Sequence, residues 1–176
     1  KVAPSPASRP AASGSAARRS PRKSRRITKP RAIIGWTEYV SFPAWGIHAV
    51  KAKVDTGAGI SALHVDSVRQ LADGRVRFEV VLHRSQRHLR ATAEAAVLRR
   101  SRIKSSNGLW QERYVIGARI RLGALERDIE VSLVSRPDMV YRMLLGRAAV
   151  AGLLIDVSAQ CRMGIPQRAA GPGRGS

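Results

Sequence analysis

Asp55-Thr56-Gly57-Ala58 follows Ile47–Val54, a stretch in which apolar and polar residues alternate. That alternation predicts a strand, so the tetrapeptide presents one carboxylate on a glycine-bearing turn at a strand end. Two carboxylates about 3 Å apart cannot both ionise and so share a proton. Such a pair can polarise a water for amide hydrolysis, one member acting as base and the other as acid. Gly57 lets backbone N–H groups come close to the carboxylate, and the Thr56 hydroxyl can cross-link two such turns. The bland alternative for Asp55 is an Asp-Gly type turn that merely closes a hairpin.

Two further stretches fit the same logic. Met143-Leu144-Leu145 is an apolar strand that ends at Gly146-Arg147, and it can pack beneath the Asp turn and hold it rigid. Lys104-Ser105-Ser106-Asn107-Gly108-Leu109-Trp110 contains Asn-Gly, the strongest short hairpin signal. Its arms, 102–104 and 110–114, would make Ser105, Ser106, Asn107, Gly108 and Trp110 a flap over a bound peptide. A plain surface hairpin is the alternative. Asp-Thr-Gly occurs once, so an acid pair requires a second copy of the chain across a two-fold axis.

The elements that must position these residues are short strands. Alternation or apolar runs mark 32–36, 39–42, 47–54, 76–82, 90–95, 114–122 and 129–134, separated by breakers such as Asp73-Gly74, Leu122-Gly123 and Pro137-Asp138. This is an all-β pattern, a small barrel or sandwich. Two stretches read as short helices, Ser61 to Leu71 and Arg147 to Leu153. His64 then falls on a helix surface. Trp36, Trp45 and Trp110 read as packing or interface residues.

Residues 1–31 hold ten of the 32 basic residues and no acid, while the remaining 22 face 12 acidic ones. Built from Pro, Ala, Ser, Arg and Lys, this tail cannot bury enough apolar surface to offset its ordering entropy. We expect a disordered basic tail at 1–31, a domain at 32–160 and a flexible C-terminal tail at 161–176. The formal charge of +20 suits nonspecific contact of the tail with RNA or the ribosome. Cys161 is the single cysteine, which excludes an internal disulfide and leans towards a reducing, cytoplasmic compartment. No run of about 18 apolar residues occurs, so no membrane-spanning helix is expected. The four histidines, 48, 64, 83 and 88, are scattered, and a catalytic zinc wants three close ligands. There is no Gly-x-x-x-x-Gly-Lys-Ser/Thr loop either, so the expectation is no metal and no cofactor.

An apolar strand, Asp-Thr-Gly-Ala, a mid-chain hairpin and then Leu-Leu-Gly-Arg occur in that order in retropepsin-like aspartic peptidases, and the chain resembles them over about residues 32–157. The likeness is closer to a bacterial and archaeal branch often labelled "ATP-dependent zinc protease", found near the glutamate ligase that tails a ribosomal protein. It is carried by Ile33–Glu38, Lys51–Ala58, Ser61–His64, Ser105–Gly108, Arg113–Ile116 and Met143–Arg147. The resemblance implies a small closed barrel of the acid-protease type with one or two short helices. It also implies a homodimer in which each subunit supplies one Asp to an endopeptidase site. Asp55 is then the catalytic acid; Thr56, Gly57, Ala58, Gly146 and Arg147 support its loop. Retropepsins usually place an acid after Asp-Thr-Gly-Ala to pair with that arginine. Gly59 stands there, leaving the partner of Arg147 unassigned, and Ile60 replaces a hydroxyl of the closer branch. A non-catalytic dimeric module that contacts peptide or RNA is the rival reading. A hydrolase of oligoglutamate tails is a third.

Overall fold

The computed structural model describes residues 32–86, 88–104 and 110–165, with the side chains at 103, 104, 110 and 111 outside the description. Nine strands occur among them: β1 (Ile33–Phe42), β2 (Ile47–Val54), β3 (Ser61–Gln70), β4 (Arg75–Val81), β5 (Arg90–Lys104), β6 (Trp110–Leu122), β7 (Leu125–Val134), β8 (Met143–Leu145) and β9 (Leu154–Gln160). They form one mixed sheet that curls on itself. Passing from β1 through β2, β8, β3, β4, β5 and β6 returns to β1, a ring of seven strands closed by Ser41 opposite Arg121. β7 spans the ring between β6 and β3, and β9 runs parallel to β1 on its outer edge. The fold is all-β and close to a barrel.

Closure depends on strands that change partner midway. β1 pairs with β2, and its register shifts between Val40 and Phe42 before Ser41 meets β6. β3 pairs with β7 and β8 over its first half and with β4 over its second, with a shift between Val65 and Val68. Such bulges increase local twist and bend a strand. The inward row then fills one core, including Ile34, Val40, Val50, Leu63, Phe78, Ile116 and Met143, all fully buried. Trp45 stacks on Phe42 and meets Phe78 edge-on, while Trp36 meets Tyr141 edge-on. On the outer face, Arg99–Glu130, Arg119–Asp128 and Arg121–Glu126 pair across strands, and the hydrogen bond from Arg119 holds the Asp128 carboxyl below the usual carboxylate range.

Two sequence expectations are corrected. Ser61 to Leu71 is not a helix, because Ser61, Leu63 and Val65 are buried at strand spacing. The apolar residues at 62, 63, 65 and 68 fit both periods, and pairing on two sides of the strand decides between them. Arg147 to Leu153 is not a helix either. It is two consecutive turns, closed by Ala149 N–H to the Gly146 carbonyl and Leu153 N–H to the Val150 carbonyl. Gly152 at φ 76° ends it before a nucleus can propagate. The helical content of the described residues is one 3-10 turn, Pro43–Trp45. β9 is an element that the sequence reading did not anticipate. The expected basic tail at 1–31 lies outside the described residues, as do residues 166–176. No helix among the described residues is long and apolar enough to cross a membrane.

β9 is held to β1 by close backbone contact, and the turn that follows β9 is held to β1 by one buried carboxylate. A Cβ on Gly35 would lie 2.6 Å from the Ala159 carbonyl oxygen, so only glycine permits that approach. Glu38 is fully buried and accepts N–H bonds from Gly35 (2.7 Å) and Met163 (3.2 Å). Glu38→Ala strands the buried Gly35 N–H and frees the part-buried Met163 N–H, and should cost about 1–3 kcal/mol for the buried donor left unsatisfied. Chemical denaturation measures this; an unchanged midpoint would show that the two N–H groups find other acceptors.

Candidate active site

β2 and β3 are not neighbours. β8 lies between them, parallel to β2 and antiparallel to β3. The 55–60 loop therefore closes no hairpin, which removes the bland reading of Asp-Thr-Gly as a hairpin turn. The loop must instead cross the end of β8. Its start is tied there, since Asp55 N–H donates to the Leu145 carbonyl at 2.9 Å.

The turn itself is built locally. Ala58 N–H donates to the Asp55 carbonyl (3.3 Å), a β-turn, and Gly57 N–H donates to Asp55 Oδ1 (3.0 Å). The second bond is the side-chain turn that Asp favours. It orients the carboxylate and leaves Oδ2 without a hydrogen bond among the described residues. Asp55 is half-buried, and Thr56 and Gly57 are exposed. The acid thus sits at one end of the ring, held from below and open on its outer side.

The segment after β8 clamps this turn. Arg147 N–H donates to the Ala58 carbonyl (2.9 Å) and Ala148 N–H to the Gly59 carbonyl (3.1 Å). Arg147 Nη1 also donates to the carbonyls of Thr56 and Gly57, both at 2.8 Å. This supplies the partner that the sequence left open. With Gly59 where an acid would stand, the guanidinium turns to backbone carbonyls. A Cβ at Gly59 would find only Arg147 Nη2, at 3.9 Å.

Gly146 is buried, and a Cβ there would lie 2.4 Å from the Ile60 carbonyl carbon and oxygen. Its N–H donates to Ser61 Oγ (3.2 Å), itself buried. The structure so brings together Asp55, Thr56, Gly57, Ala58, Gly146 and Arg147. Ser61 and the Leu145 carbonyl belong with them and were missed as site residues; Ser61 stood in a noted motif, but a mid-chain serine carries no signal of its own.

β5 and β6 pair antiparallel up to Lys104 opposite Trp110, as the proposed arms require. Ser105, Ser106, Asn107 and Gly108 lie outside the described residues. His64 needs correction: it is 2% exposed, on β3 rather than a helix surface, with Nδ1 facing the Val134 carbonyl (3.3 Å) and the Arg136 N–H (3.1 Å). Among the described residues no group of three His, Cys, Asp or Glu could hold a metal, so the donor set does not fit a zinc centre.

Residues 33–162 match the model of the RimB-like family, retropepsin-like aspartic endopeptidase RimB. The chain belongs to this family. A "Probable alpha-L-glutamate ligase" of Shewanella halifaxensis is 41% identical over 130 residues, covering 72% of this chain and 28% of that one. A protein of the same title from Parasynechococcus marenigrum is 35% identical over 136 residues, covering 75% and 29%. The chain thus spans less than a third of the length of these curated relatives. The crystal structure of a Legionella pneumophila protein titled as of unknown function (DUF785) superposes with a TM-score of 0.63 at 25% identity, over 76% of this chain and 98% of that one.

Within this RimB-like domain the site predicts its own most sensitive position. Gly146→Ala forces a methyl group into the Ile60 backbone, which cannot yield as a flexible side chain would. The thermal midpoint should fall by the equivalent of about 1–3 kcal/mol, the usual cost of overpacking. A Gly59→Ala control, with open space, should change it little. Equal midpoints for the two variants would contradict the clamp.

Proposed function

We propose that this domain is an aspartic endopeptidase that works as a homodimer, with Asp55 of each copy flanking one water. The carrying observation is the half-exposed Asp55 carboxylate on a non-hairpin turn, clamped by the Gly146-Arg147 loop at the end of the ring. The single Asp-Thr-Gly supports the need for two copies, and a two-fold, isologous contact is the arrangement that would bring identical turns together.

In this mechanism one Asp55 is ionised and its mate protonated, because close like charges cannot both ionise. The ionised carboxylate takes a proton from the water as its oxygen attacks the scissile carbonyl carbon. The protonated one gives its proton to the carbonyl oxygen, leaving a neutral diol. Return of a proton to the amide nitrogen then breaks the C–N bond and releases acid and amine. The Arg147 bonds to Thr56 and Gly57 serve by keeping each turn from relaxing, so that little reorganisation is needed at the moment of reaction. Residues 105–108 and Trp110 would cover the peptide.

The relatives titled as glutamate ligases carry a counterpart of this domain within a longer chain. A peptidase joined to such a ligase would most simply act on glutamate-rich polypeptide, and the basic charge of this protein suits such a substrate. Residues 1–31 would add nonspecific, salt-dependent contact with RNA.

Asp55→Asn keeps the turn's shape and removes the shared proton. Cleavage of a peptide library at mildly acidic pH should fall by about 10²–10⁴-fold, the scale of general acid–base catalysis. Sedimentation should show a dimer for both forms. A purified variant that cleaves like its parent would overturn the reading. Binding of peptide or RNA with no Asp55-dependent cleavage in either form would favour the binding-module alternative.

A further inference from the structure

A cleft of about 950 Å³ that residues 55–60 do not line opens between the first half of β2, the loop from β4 to β5 and the approach to β8. Asp55 does not line it, and nothing in the peptidase mechanism uses it. Its size is that of a site for a short peptide or a large small molecule.

Its lining has one sign of charge. Lys51, Arg84, Arg90 and Arg142 face it together with His48 and His83, and none of the lining residues is acidic. Arg90 is already held by Asp66 (2.7 Å) and Glu79 (3.2 Å), and Arg142 is buried with a bond to the Pro137 carbonyl. Lys51 and Arg84 make no ion pair among the described residues, so the uncompensated charge of the cleft rests on them. A concave, low-dielectric wall of one sign focuses its field on an incoming anion.

The rest of the lining is aliphatic more than aromatic. Ile47 and Leu82 are at least half-buried, while Leu89 and Val140 stand 40% and 57% exposed. Exposed branched side chains beside unpaired cations suit a ligand that carries both carboxylates and apolar groups. A nucleic acid would call for a row of large flat stacking platforms, and here Tyr39, Tyr141 and the two small imidazoles of His48 and His83 are the only rings in the lining, with Tyr141 already packed edge-on by Trp36. A homopolymer of glutamate would leave the aliphatic wall without a partner.

We propose that this cleft is a docking site for a peptide segment of mixed acidic and apolar character, distinct from the segment that would be cut. Binding there is independent of cleavage; only its use as an exosite rests on the peptidase reading. Its position suits that use. Lys51 and Lys53 lie on the outer face of β2, and Lys51 is four residues from Asp55, about 13 Å at roughly 3.3 Å per residue.

The test uses the full chain carrying Asp55→Asn, so that no probe is cut and failure of the catalytic reading cannot be mistaken for failure of this one. Fluorescence anisotropy is followed with a labelled peptide of about eight residues alternating Glu with Leu or Val. The mixed peptide should bind, and Lys51→Ala/Arg84→Ala should weaken it about tenfold, the effect of losing one or two good contacts. Val140→Asp should weaken it comparably. Thermal midpoints of both variants should stay at the parent value, since all three residues are solvent-accessible. An oligoglutamate of the same length should bind less tightly. Affinity unchanged in the double variant, equal binding of oligoglutamate, tighter binding of a single-stranded RNA of equal length, or no measurable binding would each overturn the proposal.

Discussion

The structure turns on the insertion of β8 between β2 and β3. Three residues, Met143–Leu145, hydrogen-bond on both sides, and this short strand separates the two arms of the Asp55 loop. Because the arms are apart, the loop cannot close as a tight hairpin. It spans the end of β8 and takes its hydrogen bonds from whatever follows β8 in sequence. That is Gly146-Arg147-Ala148: the N–H groups of Arg147 and Ala148 and the Arg147 guanidinium meet the carbonyls of residues 56–59, and the Gly146 N–H goes to Ser61 Oγ. The absence of a side chain at position 146 is what lets the two backbones come within reach. An acid carried on a free loop would sample many orientations; this one is held by bonds at both ends and by its own Gly57 N–H.

Charge is distributed in three different ways around this frame. On the outer face of β5, β6 and β7, Arg99, Arg119 and Arg121 each pair with a carboxylate across strands. Such exposed pairs add little stability. In the interior, Glu38 is met by backbone N–H groups and ties the turn after β9 to β1. In the cleft beside β2, cations gather without an acidic lining residue. At the Asp55 turn the bonded cation is Arg147, whose guanidinium faces carbonyl oxygens.

Much of this was legible beforehand, and the misses have physical causes. β2 was read residue for residue, since Ile47–Val54 alternates apart from one break at Ala49-Val50 and is bounded by Gly46 and by Asp-Thr-Gly. β6 and β7 were found with their C-terminal ends; 110–114 was read as a hairpin arm running into β6, while the start of β7 at Leu125 was missed. β3 was mistaken for a helix because four apolar residues fit both periods, and β9 went unseen because its mostly exposed residues carry no apolar row. His64 looked like a surface residue only while β3 looked like a helix. Once that segment is a central strand, both of its faces are covered at position 64.

From the chain alone come the acid on its glycine turn, the Leu-Leu-Gly-Arg that follows later in the chain, the all-β character and the excess of positive charge, because these depend on residue type and near-neighbour spacing. Tertiary structure alone decides that positions 55–60 and 145–148 touch, that Arg147 serves carbonyls in place of an acid, that Ser61 joins the site, and that cations from three separate segments line one cleft. Those contacts join residues up to some ninety positions apart, and only the closure of the ring brings such distant backbone donors and acceptors within bonding range.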